Sequence, residues 1–160
     1  KSLATFQELG NKIGISTGLN NIGEVYSLQG DYSKALEYFQ KSLVINKELG
    51  NKYAICLSYL NIANINLKKK NYREALSYSN KCLSLANEIG ALQYQKDVSL
   101  ILSEIYIRTN NYKEAYENHV LYKELNDSIF NEENIKKEPR NLLILDDCIC
   151  ELPPRLGNHY

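Results

Sequence analysis

The 160 residues contain no methionine and only two histidines, and neither sign of charge predominates. Each shortage narrows the reading. With 19 basic residues against 19 acidic ones, and no basic stripe interleaved with aromatics, the chain offers no field for a polyanion, which argues against nucleic acid as a partner. No apolar run reaches the ~18 residues that a membrane-spanning helix needs, so membrane insertion of this stretch is not expected, and no signal peptide is seen. The eight glycines are scattered and match no phosphate-cradling loop. His119 and His159 stand far apart without a patterned nucleophile or ligand partner, so catalysis is hard to build and no cofactor is called for. Strand signals, meaning sustained alternation bounded by turns, are absent through residue 137.

What is present is a repeat. Gly30-Asp31-Tyr32-Ser33-Lys34-Ala35-Leu36, Lys70-Asn71-Tyr72-Arg73-Glu74-Ala75-Leu76 and Asn110-Asn111-Tyr112-Lys113-Glu114-Ala115-Tyr116 recur every 40 residues without insertion or deletion. Asn11-Lys12 returns as Asn51-Lys52, Asn21-Ile22 as Asn61-Ile62, and Glu48 with Gly50 as Glu88 with Gly90. Even Lys1-Ser2-Leu3 with Gly10 matches Lys41-Ser42-Leu43 with Gly50. The chain therefore starts inside a repeat. Together with the missing methionine, this reads as an excised or processed piece with further repeats before it in a parent protein.

Apolar residues step by three and four, as in Leu19, Ile22, Gly23 and Tyr26 and then in Tyr32, Ala35, Leu36, Phe39 and Leu43. Such steps predict two amphipathic helices per block. The breaks Gln29-Gly30-Asp31, Lys69-Lys70-Asn71 and Thr109-Asn110-Asn111 supply an Asp or Asn to cap the following helix, and Gly50 and Gly90 mark the ends of second helices. Gly23, Ala63 and Ser103 on the first helix, and Ala35, Ala75 and Ala115 on the second, are small where paired helices must approach closely. Tyr32, Tyr72 and Tyr112 can bury a ring while the hydroxyl reaches a polar group near the turn. A period of this size means units too small to bury their apolar faces alone. The fold class is thus all-α, an α-solenoid of stacked antiparallel helix hairpins.

The pattern Leu19, Ile22-Gly23, Tyr26, Gly30-Asp31-Tyr32, Ala35, Phe39 and Leu43 resembles the tetratricopeptide repeat, which implies a right-handed superhelix. The familiar unit is about 34 residues; this one is longer, as in kinesin light chains and Pins-type polarity adaptors. Residues 121–133 also resemble the closing segment of tetratricopeptide sensor regions in Bacteroidetes signalling proteins. The resemblance implies a groove, lined by first helices, that binds a peptide segment of a protein partner. It implies Asn21 and Asn61 as holders of the ligand backbone, since one amide offers both donor and acceptor; packing or capping is the alternative for both. Block three departs, with Ile101 in that place. Asn20, Glu24, Leu60, Asn64, Leu67, Leu100, Glu104, Ile107 and Arg108 are the other groove candidates. The basic clamp used for acidic carboxyl termini would need Lys or Arg at positions 20, 60 and 100, and none is there.

The domain reading is a tetratricopeptide array over 1–137, with a half repeat at 1–10, repeats at 11–50, 51–90 and 91–130, and a short closing segment. An irregular tail of uncertain origin follows from 138 to 160. Glu138-Pro139 stops any helix, and Leu142, Leu143, Ile144 and Leu145 either belong to a mostly disordered tail, or cover the exposed face of the last repeat or enter a groove in this or a neighbouring molecule. Cys56 and Cys82 take small-residue packing positions. Cys148 and Cys150 have only Asp146, Asp147 and His159 nearby, so oxidisable thiols are expected there rather than a metal site. His119, where earlier blocks carry Phe39 and Ser79, reads as a packed or half-buried helix residue, and Lys68-Lys69-Lys70 as a solvated turn.

These observations predict a non-enzymatic module that binds a protein or peptide partner, within the sensing or scaffolding part of a bacterial signalling protein. The alternative is structural self-association, as a homo-oligomer formed through exposed solenoid ends or through the tail. The expected location is cytoplasmic, or periplasmic where a signal peptide lies upstream.

Overall fold

A computed structural model describes the backbone of residues 2–137 and the side chains of residues 8–132. Six helices make up that span: α1 (Ser2–Leu28), α2 (Tyr32–Glu48), α3 (Lys52–Lys68), α4 (Tyr72–Glu88), α5 (Leu92–Arg108) and α6 (Tyr112–Lys137). No strand occurs among the described residues, so the all-α reading holds. From α2 onward a helix begins every 20 residues, which halves the 40-residue period.

The turns explain that regularity. All five are three residues long, and the middle residue of each is left-handed: Gly30, Gly50, Lys70, Gly90 and Asn110. In the first, the amide of Asp31 donates to the carbonyl of Tyr26 at 3.0 Å and that of Gly30 to Ser27 at 3.2 Å. The same crossed pair recurs at Asn51–Asn46 and Gly50–Lys47, and so on through Asn111–Tyr106 and Asn110–Ile107. This Schellman geometry satisfies carbonyls that a helix end would leave without partners, and it reverses the chain in the fewest residues.

Capping is less uniform. Asp31 accepts from the Lys34 amide and Asn51 from the Ala54 amide, each at 3.1 Å. Asn71 does not cap; its amide donates instead to Asn66 Oδ1 at 3.4 Å. The Asn111 amide is likewise turned toward Thr109 Oγ1, at 3.1 Å. In both turns a neighbouring polar side chain competes for the Asn.

Helices α1 and α2 form one hairpin, and α3 and α4 the next. Their antiparallel pairing shows in contacts that converge on the turn. Lys12 pairs with Glu48 at 3.3 Å, and Ser42 Oγ donates to the Ser16 carbonyl at 2.8 Å. Forty residues on, Lys52 pairs with Glu88, and Cys82 Sγ donates to the Cys56 carbonyl at 3.5 Å. The sequence recurrence is thus a recurrence of contacts. As expected, Ala35, Ala63, Ala75 and Ala115 are all buried, and Gly23 sits so close to Phe39 that an added Cβ would lie 2.7 Å from its ring.

Between hairpins, Ala35, Phe39 and Leu43 of α2 enclose Ile62 and Ile65 of α3. A second cluster joins Cys56, Cys82 and Ala86 to Val98 and Leu102, and a third joins Leu67 and Ala75 to Ile105. Each hairpin therefore completes its core on its neighbour. On the α5–α6 side, Ser103 Oγ donates to the Ala115 carbonyl at 3.0 Å.

One element departs from the register. Gly10 corresponds to Gly50 and Gly90, yet α1 runs through it unbroken, so the half repeat at 1–10 is part of a continuous helix. Helix α1 packs mainly against α2, and its backbone helix continues past Gly10. A glycine inside a helix costs only about 1 kcal/mol relative to alanine. The chain divides into two units, Lys1–Leu125 and Asn126 onward, with the boundary inside α6; the second is described only along that helix. The tail, with Leu142–Leu145, Cys148, Cys150 and His159, lies outside the described residues.

Candidate functional site

Seven of the groove candidates line one or other of two hollows built in part by the first helices. The first, of about 210 Å³, is lined by Ser16, Thr17, Asn20, Asn21 and Glu24 of α1, Ser42 and Asn46 of α2, and Ala54, Leu57 and Ser58 of α3. Its floor is polar. Buried Asn46 donates from one amide toward Ser42 Oγ at 3.2 Å, Ser58 Oγ at 3.3 Å and the Ala54 carbonyl at 3.5 Å. Ser58 in turn donates to the same carbonyl at 2.9 Å. Buried side-chain polar groups are retained when partnered, and this network partners each of them.

Asn20 belongs to that floor rather than to the reachable surface. It is buried; its amide donates to Glu24 Oε1 at 2.8 Å, and its carbonyl oxygen accepts from Asn61 Nδ2 at 3.0 Å. The chain Asn61–Asn20–Glu24 ties α3 to α1, so the half-buried Asn61 already spends one donor inside the protein. Asn21 is exposed beside the hollow. The pair that the register makes equivalent is thus unequal in the fold: Asn21 is open, and Asn61 is partly committed.

The second hollow, of about 310 Å³, lies between α3 and α5 and is lined by Asn64, Leu67, Lys68, Lys70, Tyr72, Glu104 and Arg108. Asn64, Glu104 and Arg108 are exposed, and Arg108 meets Glu104 at 3.5 Å along one helix face. Leu67 is mainly core, packed with Ala75 and Ile105, and only its edge reaches the hollow. Leu60 packs against the cluster around Cys56 and Val98, while Leu100 and Ile107 are exposed. Neither hollow is lined by Leu60, Asn61, Leu100 or Ile107.

Ser16, Ser42, Asn46 and Ser58 were not singled out in the sequence. Their signal was available: Ser42 and Asn46 interrupt the apolar stripe of α2 at a step of four, where a polar residue must find a buried partner. Lys68 and Lys70 are exposed, as a solvated turn requires, yet they also border the second hollow, and Lys68 Nζ stands 5.9 Å from the Tyr32 ring centre.

The groups with potential chemistry are quiet. His119 is exposed, not packed or half-buried as expected, with its ring 6.0 Å from that of Tyr122. Its helix face is not covered along the turn where α2 places Phe39. Cys56 and Cys82 are fully buried. Burial, with the neighbouring Cys56, pushes the Cys82 thiol up to about 12, and burial also raises Cys56, so neither supplies a thiolate near neutral pH. Among the described residues, no group of three His, Cys, Asp or Glu side chains could hold a metal, and no helix is long and apolar enough to cross a membrane.

Two family matches agree with this architecture. The tetratricopeptide repeat family matches residues 16–49 and, in a second form, residues 58–89. Each match covers the later part of a first helix, the left-handed turn and the second helix that follows. No curated protein matches the chain.

Proposed function

The chain is a tetratricopeptide-repeat protein, an interaction module between proteins, and we propose that it holds a peptide segment of its partner along the first-helix face. The observation that supports this is the exposure of Asn21 and Asn64, each beside a hollow lined in part by first helices. Neither amide is committed to a partner within the described residues, so each can offer a donor and an acceptor to a peptide unit. Leu57 in the first hollow and the edge of Leu67 in the second add apolar contact. The work is binding, not catalysis.

The cleanest variant is Asn21→Ala with Asn64→Ala. Replacing Asn61 would also strip Asn20 of its partner and so mix stability with recognition. Peptides selected by display on the intact chain should lose affinity by about tenfold or more on the double variant, measured by fluorescence anisotropy, consistent with hydrogen-bond losses of ~1–2 kcal/mol. Unchanged affinity with an unchanged melting temperature would overturn the groove assignment.

A further inference from the structure

The two ends of the Lys1–Leu125 unit carry open faces that are register counterparts of faces buried inside it. On α3, Ile62 and Ile65 are 0% and 1% exposed because α2 covers them. Leu102 and Ile105, 40 residues on, are 2% and 1% exposed on α5. Their equivalents on α1 are Ile22 and Val25, and these are 42% and 52% exposed. Ile15 lies on the same face by helical spacing and is 47% exposed, whereas its equivalent Ile55 packs against the cluster between α2 and α3.

The other end is the complement. Tyr32 and Leu36 of α2, and Tyr72 and Leu76 of α4, pack against the clusters shared with α3 and α5. By register the matching residues of α6 are Tyr112 and Tyr116, which are 66% and 71% exposed. Ala115 between them is buried, as Ala35 and Ala75 are. So α1 presents the face that receives a second helix, and α6 presents the face that a second helix delivers.

We infer that a second copy of the chain stacks head to tail on the first, with Tyr112 and Tyr116 of α6 seated on Ile22 and Val25 of the next copy's α1. The contact continues the junction already built between α4 and α5, where Tyr72, Ala75 and Leu76 meet Ile101 and Ile105. It is weaker than the α2–α3 junction, because His119 and Lys123 stand where α2 carries Phe39 and Leu43. Two different surfaces meet, so the association is heterologous and open-ended.

That asymmetry supplies the test, using the full chain. Sedimentation equilibrium of the wild type over about a hundredfold range of concentration should show average mass rising above that of the monomer. Ile22→Glu leaves α6 intact, and Tyr116→Glu leaves α1 intact; both positions are exposed, so far-UV circular dichroism should match the wild type. Each variant alone should stay monomeric. Mixed in equal amounts they should form a one-to-one dimer and nothing larger, since one sound face of each kind remains. A wild type that is monomeric throughout would overturn the inference. So would self-association of the Tyr116→Glu variant alone, which would mean that α1 faces pair with each other, or a mixture that stays monomeric.

Discussion

Individual side chains show how far the repeats are interchangeable. Gly23, Ala63 and Ser103 are equivalent, and so are Phe39, Ser79 and His119, so the smallest residue of one set shares a hairpin with the bulkiest apolar residue of the other. In the first hairpin the match is tight: a Cβ on Gly23 would lie 2.7 and 2.8 Å from two ring carbons of Phe39, itself buried. Gly23→Ala gains helix propensity of about 1 kcal/mol but forces the ring off its position at about 1–3 kcal/mol. The expected outcome is a net loss of stability in urea denaturation. Ser79 shows the opposite condition, because its buried hydroxyl has no hydrogen-bond partner. Ser79→Ala should therefore raise stability, by about 1 kcal/mol. The sequence showed that positions 23, 63 and 103 must be small. That the residue facing Gly23 is Phe39 required the hairpin to be built.

At the level of elements, the left-handed residue sets helix length. Three turns place Gly there, and two place Lys70 and Asn110, with φ of 60° and 62°. A non-glycine residue in this conformation costs roughly 1–2 kcal/mol, while glycine costs about 0.5–1 kcal/mol in backbone freedom. Lys70→Gly should therefore stabilise the α3–α4 turn by about 0.5–1 kcal/mol, and Gly50→Ala should weaken the α2–α3 turn by about 1 kcal/mol. Thermal unfolding of the two variants should move in opposite directions. Helix boundaries were legible in the sequence because turn chemistry and apolar period changed together, as at Gln29-Gly30-Asp31. Gly10 misled for a physical reason: the same residue type can end a helix or sit inside one, and which happens depends on whether the chain folds back on a partner there. The Asn residues of the turns misled similarly, since Asn71 could cap α4 or bond Asn66, and only the fold decides. The candidate site was only partly legible. Asn21 and Asn61 share a register position yet differ in exposure, and the bond between Asn20 and Asn61 joins two helices 41 residues apart, which no local pattern encodes.

For the array as a whole, the deciding question is whether stability resides in hairpins or in the junctions between them. In a stack where each unit meets only its neighbours, stability is close to a sum of unit terms and junction terms. Ile22 and Ile62 separate the two, because they are the same residue at the same register position on α1 and α3, one open and one enclosed by Ala35, Phe39 and Leu43. Truncating Ile62 to Ala removes buried apolar surface and leaves a cavity at a junction, for an expected loss of about 2–5 kcal/mol. Truncating Ile22 to Ala removes atoms that water already reaches in a dilute monomer, for a loss of about 0.5 kcal/mol or less. Because Ile62→Ala weakens the link between hairpins more than either hairpin, it should also broaden the urea transition and reduce its apparent m-value, as the α1–α2 and α3–α4 hairpins cease to unfold together. Equal losses at both positions, with the transition equally sharp, would place stability in the hairpins. A larger loss at Ile62 with a broadened transition places it in the junctions, where enclosure by a neighbouring hairpin is what distinguishes one isoleucine from the other.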